Sequence, residues 1–399
     1  MYSETPDIVP FPSSFRRDLL TQAELEKLKG GTLRLLDEVG IHFPSRKALE
    51  IMADHGARVD HETGIVRIPP DLAQRAMATA PRSFVLGGRE ERFDLLLDGN
   101  RSYLATDGTG VHVIDLETRE MRASRKEDVA MMARVCDALP LISFYWPMVS
   151  AQDYGVTAPL HQCHAGLTNT FKHVRGGMTV PPELAPYVVE MATAAAGSAE
   201  ALRERPPICA NFCTISPLSQ DGHSIENALT YAEAGIPMSF MAMPTMGSTA
   251  PATPLGALVM GDAEVVSGMV LVQLAYPGAP VFHSILHAWA DPRTATYVGY
   301  PLDSRVRYAP VEMAHHWGMP ALGGAFGTES PELDSWQSAA EVATDPLLVG
   351  LAGAEIVTGL GLRDTYTLLY PEAIILDTDL YHRSRYSLLN MEIDPETLA

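Results

Sequence analysis

Cysteine is scarce in this chain, with Cys136, Cys163, Cys209 and Cys213 the four among 399 residues. So few thiols build no disulfide framework, and reduced, partly buried cysteines suit a reducing compartment. Basic residues are also short: 29 Lys and Arg face 49 Asp and Glu, for a formal net charge of -20. That balance excludes nucleic acid and anionic membrane surfaces as principal partners. No stretch of about 18 apolar residues runs free of charge, so no membrane span is expected. The opening MYSETPDIVPFPSSFRRD lacks the basic-then-apolar order of a secretory leader, and a cytoplasmic location is the expectation. The phosphate-loop pattern GxxxxGK is absent, as is a dinucleotide glycine fingerprint after the first candidate strand. What is present is a chain 46% hydrophobic, enough to bury a large core.

The first third punctuates itself as helices. Thr21 and Glu24 make a capping box before LEKLKGGTLRLLDEVG, where Leu25, Leu28, Thr32, Leu35 and Val39 share a face. Ser45 caps a second helix ending at Gly56, Pro70 opens a third, and Ser124 with Glu127 caps a fourth. SFVLGG, SYLATDG and VHVIDL read as short strands among them, giving a mainly helical α+β cap over residues 1–140. From residue 141 the pattern becomes apolar strands alternating with long helices: ISFYWPMV, KHVRGGM, ICANFCTI, IPMSFMAM, PVFHSIL, TYVGY, ALGGAFG and AEIVTGL. Eight such units predict a closed TIM-type β/α barrel over 141–382, followed by a tail over 383–399.

In a barrel of this kind chemistry sits at the C-terminal ends of the strands. Those ends supply Tyr145 and Trp146, Arg175, Asn211, then His283, His287 and Trp289, and finally Glu329, Asp334 and Gln337. The uncharged MPTMGSTAPATPLGAL reads as the fourth strand-to-helix turn, with Thr253 as N-cap and Pro254 at the first helical position. Two chemistries fit such a rim. Aromatic faces can hold a quaternary ammonium while an Arg or a helix end holds an opposing carboxylate; alternatively His and carboxylate groups can perform acid–base work. Cys209 and Cys213, four apart on one face of a strand, raise a zinc reading as well.

Longer segments carry a family resemblance. TLRLLDEVGIHF, IPPDL, APRSFVLGGR and VIDLETREMR, then ISPLSQ, AEAGIPM, MGSTAPATPLGALV, QLAYPGAPVF, HHWGMPALGG and GTESPELDSWQSAAE, resemble the corrinoid-dependent trimethylamine methyltransferase family. The resemblance implies a barrel enzyme that passes a methyl group from a methylated amine to the cobalt of a separate corrinoid protein, with no cofactor or metal held tightly by this chain. The founding branch uses pyrrolysine, which this sequence lacks. Branches without it act on quaternary amines such as glycine betaine, which expel a neutral amine and need no activating residue. On that reading Tyr145, Trp146 and Trp289 supply ring faces for the ammonium. Arg175, His283 and His287 face the carboxylate, Asn211 and Gln337 position the substrate, and Glu329 is the polar group nearest the reacting nitrogen. Met246, Gly247, Ser248 and Thr249 form the rim turned to the corrinoid. GTESP departs from the family's usual Gly-Thr-Asp-Ala-Lys, with Glu329 for Asp and Pro331 for Lys, which points to a changed head group. The end at DPETLA falls short of relatives, and the cap predicts a homo-oligomer. A non-catalytic betaine-binding barrel and a zinc-dependent methyltransferase are the alternatives.

Overall fold

A computed structural model describes residues 5–12, 17–299, 305–324 and 327–386. Eight parallel strands close on themselves: β1 (Arg101–Thr106), β2 (Ile142–Tyr145), β3 (His173–Gly177), β4 (Ile208–Cys213), β5 (Met238–Ala242), β6 (Val281–Ile285), β7 (Ala321–Gly324) and β8 (Ile356–Leu360). Closure is made by β8 against β1, with Ile356 opposite Tyr103. The TIM-type architecture expected from the alternation is therefore the one formed, but with different strands. SYLATDG, placed in the cap by its position before residue 141, is β1 of the barrel, and TYVGY supplies no barrel strand. Tyr297–Val298 instead pairs antiparallel with Ala288–Ala290, which runs parallel to Thr245–Met246, so these three short strands form a small sheet beside the mouth. The turn MPTMGSTAPATPLGAL accordingly leaves the fifth strand, not the fourth.

Outside the barrel run α1 (Gln22–Arg34), α2 (Arg46–Asp54), α3 (Pro70–Met77), α4 (Lys126–Asp137), α5 (Ala158–Asn169), α6 (Ala185–Ala196), α7 (Gly222–Ala234), α8 (Pro254–Ala275), α9 (Arg305–His316), α10 (Trp336–Ala352) and α11 (Ala373–Tyr386). The capping box of α1 forms as read, with Thr21 N–H donating to Glu24 Oε2 at 2.8 Å. The fourth helix starts one residue later than its sequence suggests: Arg125 N–H donates to Asp128 Oδ2 at 2.8 Å, while Ser124 Oγ turns away to Ser150 O. Helix α8 is apolar on all sides because α1, α2 and α3 cover it from outside while β5 and β6 lie beneath. It is the one described helix long and apolar enough to cross a membrane, and burial in the core accounts for that composition.

Alternation along each strand sorts side chains into two cores. Tyr145, Phe212, Phe240 and Val357 face the helices, whereas Tyr103, Phe144, Cys209, Phe282 and Ile356 face inward. A hairpin of Phe84–Leu86 and Leu95–Leu97 joins this inner core, its Leu86, Leu95 and Leu97 fully buried. At about 1.5 to 3 kcal/mol for each buried leucine, the hairpin is a firmly seated plug in the barrel's N-terminal end.

Candidate active site

Two oppositely charged side chains lie at the C-terminal end of the barrel interior. Asp107 follows β1, where its N–H donates to Leu360 O at 3.0 Å, and its carboxyl Oδ1 accepts from Gly108 N–H at 2.8 Å. Only glycine fits next: a Cβ on Gly108 would stand 2.4 Å from Pro147 O and 2.6 Å from the Trp146 ring. The absence of that carbon lets the loop close on Trp146. Arg175, at the third position of β3, points inward and lays its guanidinium 3.2 Å from the centre of that ring. Asp107 and Arg175 are both 1% exposed. Among the described residues, Arg175 Nε, Nη1 and Nη2 have no hydrogen-bond partner, nor have Asp107 Oδ2 and Trp146 Nε1.

Burial moves both charges toward neutrality. It pushes the Asp107 carboxyl up to about 7, against the pull of the Gly108 and Gly327 N–H groups and of Arg175. It brings the Arg175 guanidinium down to about 9, against Cys209, Cys213 and Asp107. Each feels the other, and no hydrogen bond joins them.

Two phenols lie close enough to Asp107 to feel its charge. Tyr366, after β8, is held above its usual range by burial first and then by Asp107 and the Cys213 thiol. Tyr297, 38% exposed in the small sheet, is raised by burial, then by Tyr366, with Asp107 and Glu329 adding to it. The backbone that carries Tyr366 is strained, since Asp364, Thr365 and Tyr366 take φ of 51°, 49° and 64° in succession. Such left-handed residues cost on the order of 1 kcal/mol each and persist only where their surroundings impose them. Here Asp364 N–H is bound to Ser330 O and Thr365 N–H to Thr328 O. Below, Arg363 grips Asp377 of α11 through Nη1 at 2.9 Å and Nη2 at 2.7 Å, and Asp377 also accepts from Gly361 N–H.

The residues expected from sequence divide. Trp146, Arg175 and Asn211 come together in the interior. Asn211 Oδ1 accepts from the Ser239 hydroxyl, and its Nδ2 faces Cys213 Sγ at 3.7 Å. The Trp146 ring, expected to face an ammonium, carries Arg175 instead. Glu329 lies partly buried at the rim, its N–H donating to Glu341 Oε2 at 2.9 Å.

Others point away. The Tyr145 hydroxyl donates to Val129 O of α4 at 2.8 Å, because its place in β2 turns it to the helix layer. By the same alternation His283 faces outward, where Nε2 meets Asp262 of α8 at 2.8 Å. His287 lies in the cleft between α8 and α9, brought down to about 4 by burial, so it is uncharged near neutral pH. Gln337 is exposed on α10 and bonds Glu341 at 2.9 Å. Trp289 pairs with Met246 in the small sheet and packs beside it against Val306. Of the rim turn, Met246 is buried, Gly247 and Ser248 are exposed and Thr249 is half-buried. Cys209 and Cys213 share one face of β4, the inward one, but four residues along one strand separate them by about 13 Å, too far to share an ion. No group of three or more His, Cys, Asp or Glu able to hold a metal occurs among the described residues.

Three residues of this cluster were not among those expected from sequence: Asp107, Tyr297 and Tyr366. A signal for the first existed, since SYLATDG ends on an acid just where a barrel strand would deliver it.

Comparisons with known proteins agree with this layout. A monomethylamine methyltransferase (MtmB) of Methanosarcina barkeri, known from its crystal structure, superimposes with a TM-score of 0.58 at 11% identity, over 94% of this chain and 76% of that one, which is likeness of fold. The trimethylamine methyltransferase MttB of Desulfitobacterium hafniense is 32% identical over 384 residues, covering 94% of this chain and 76% of that protein. MttB of Methanosarcina barkeri is 28% identical, with 96% and 78% covered. A proline betaine:corrinoid methyltransferase of Eubacterium limosum is 26% identical, with 90% and 75% covered. The sequence profile described as trimethylamine methyltransferase (MTTB) matches residues 8–399. The chain belongs to the trimethylamine methyltransferase family and is a methylamine:corrinoid methyltransferase.

Proposed function

We propose that the methyl donor is a zwitterionic quaternary amine, a betaine such as glycine betaine or proline betaine. The observation that carries this is the Arg175 guanidinium, buried inside the barrel with no hydrogen-bond partner among the described residues on any of its three nitrogens. Leaving a buried charged group unpaired is costly, so a working state in which an anion meets it is strongly favoured. A carboxylate matches the guanidinium fork in two parallel hydrogen bonds. Trimethylamine offers no anion, and in its protonated form it would be repelled by Arg175. The chain also contains only the twenty standard residues. A quaternary methylammonium needs no extra activation, because it leaves as a neutral tertiary amine. The name of the proline betaine relative supports the same substrate class.

The chain's own task is then positional. Arg175, braced on Trp146, holds the carboxylate, and Asn211 borders the same space. The phenols of Tyr297 and Tyr366 stand near enough to feel Asp107, and a methylammonium there gains from aromatic faces by roughly 0.5 to 2 kcal/mol for each ring. Exposed Gly247 and Ser248, with open space about the Gly247 Cα, leave room at the mouth for a partner's flat macrocycle. The corrinoid supplies a nucleophilic cobalt, and the barrel supplies a methyl group held in line and kept from water. Glu329 and Tyr297 stand at the rim between the two.

The test is to mix the protein with a cobalt(I) corrinoid and, separately, glycine betaine, proline betaine, carnitine and trimethylamine, and to follow the visible spectrum of the corrinoid. Loss of the cobalt(I) band with a betaine supports the proposal. Loss with trimethylamine alone overturns it.

A further inference from the structure

Asp107 is left over by the arrangement above. Its backbone duties do not require a charge, since the carbonyl oxygen of an asparagine could accept from the Gly108 and Gly327 N–H groups as well. Yet a carboxyl is placed there, 1% exposed, with Oδ2 unpartnered, and it shares the interior with an equally buried guanidinium that it does not hydrogen-bond. An anion alone would satisfy Arg175 and be repelled by Asp107. A cation alone would satisfy Asp107 and be repelled by Arg175. A dipolar molecule of the right length satisfies both.

We infer that Asp107 seats the ammonium of the substrate, so that the site selects betaines by gripping both poles at once, with Tyr297 and Tyr366 flanking the cationic end. The inference rests on the betaine reading and goes beyond it, because a carboxylate clamp at Arg175 alone would accept any carboxylate of suitable bulk. The carboxylate is not a nucleophile or a base here. It stays ionised while the methyl group leaves, and its role is positioning and specificity.

The decisive probe is 3,3-dimethylbutanoate, the neutral-carbon isostere of glycine betaine, compared with glycine betaine itself by titration calorimetry on the full chain without corrinoid. A buried ion pair at an effective dielectric constant near 20 predicts that the wild type prefers glycine betaine by about tenfold or more. In Asp107→Asn that preference falls by about tenfold or more, to what the two phenol rings supply, while the isostere binds as before, which also shows that the variant is folded. Equal binding of the two by the wild type, or an undiminished preference in Asp107→Asn, overturns the role of Asp107 and leaves the carboxylate clamp standing. Binding of neither probe to the wild type removes the betaine reading and this inference together. Should Asp107→Asn fail to fold, Asp107→Ser takes its place and is read in the same way.

Discussion

The guanidinium of Arg175 lies 3.2 Å from the centre of the Trp146 ring, both inside the barrel. The stacking fixes the fork of nitrogens in the plane that a carboxylate must meet, so the charge and its direction are separable properties. Lysine keeps the first and loses the second. Arg175→Lys is expected to raise the KM for a betaine by about tenfold or more with a smaller change in kcat. Trp146→Leu, which keeps Arg175 and removes its support, should do the same to a lesser degree. Steady-state kinetics with varied betaine separates the two parameters.

On the proposed function, the pH dependence of betaine binding belongs to Asp107. The groups facing it are Arg175, Tyr297 and Tyr366. Arg175, brought down to about 9, stays cationic between pH 6 and pH 8, and both phenols, raised, stay neutral. Asp107, raised to about 7, is the one that changes, and it must be ionised to hold a cation. Affinity for glycine betaine should therefore fall as pH drops from 8 to 6, by about tenfold from proton competition. Affinity for 3,3-dimethylbutanoate should not fall over that range. Calorimetry at three pH values checks both.

His283 supplies a prediction of the opposite kind. Its ring meets Asp262, which also accepts from Thr32 Oγ1 at 2.6 Å and Trp317 Nε1 at 3.1 Å, tying α1, α8, β6 and the turn after α9 together. His283→Leu leaves one oxygen of a fully buried carboxylate unpaired, at a cost of about 1 to 3 kcal/mol. Chemical denaturation should register that loss, while the KM for the methyl donor stays within about twofold below the transition. A large rise in KM would return His283 to the site.

Gly108→Ala tests the closeness of the loop to Trp146. The added carbon would sit 2.4 Å from Pro147 O, so the loop or the ring must move. Displacement of Trp146 should change tryptophan fluorescence and lower kcat/KM by about tenfold, since misplacement on the order of 1 Å is costly to a positional mechanism.

The barrel was legible because its strands are short continuous apolar runs between helices, and β2 to β8 fall where such runs stand. β1 was not, since Arg101 opens it and Asp107 with Gly108 closes it, which reads as a turn-bounded surface strand. The miss hid Asp107. Strand parity decided the rest: Tyr145 and Trp146 are adjacent in sequence and therefore face opposite sides, and His283 lies outside for the same reason that Phe282 lies inside. A list of polar residues near strand ends does not carry that information until each strand's register is known. Tyr366 was invisible on another ground, because three consecutive left-handed residues without glycine have no local sequence signature.

The hairpin carrying Leu86, Leu95 and Leu97 closes the barrel's N-terminal end, so among the described residues access to the interior is left to the C-terminal mouth. On the proposed function, a partner that docks on that mouth to receive the methyl group also shuts it. The amine must then enter before the partner arrives, and the demethylated product must wait inside until the partner departs. Turnover is thus compelled into a fixed order, and excess corrinoid protein should inhibit by sealing an unloaded tunnel.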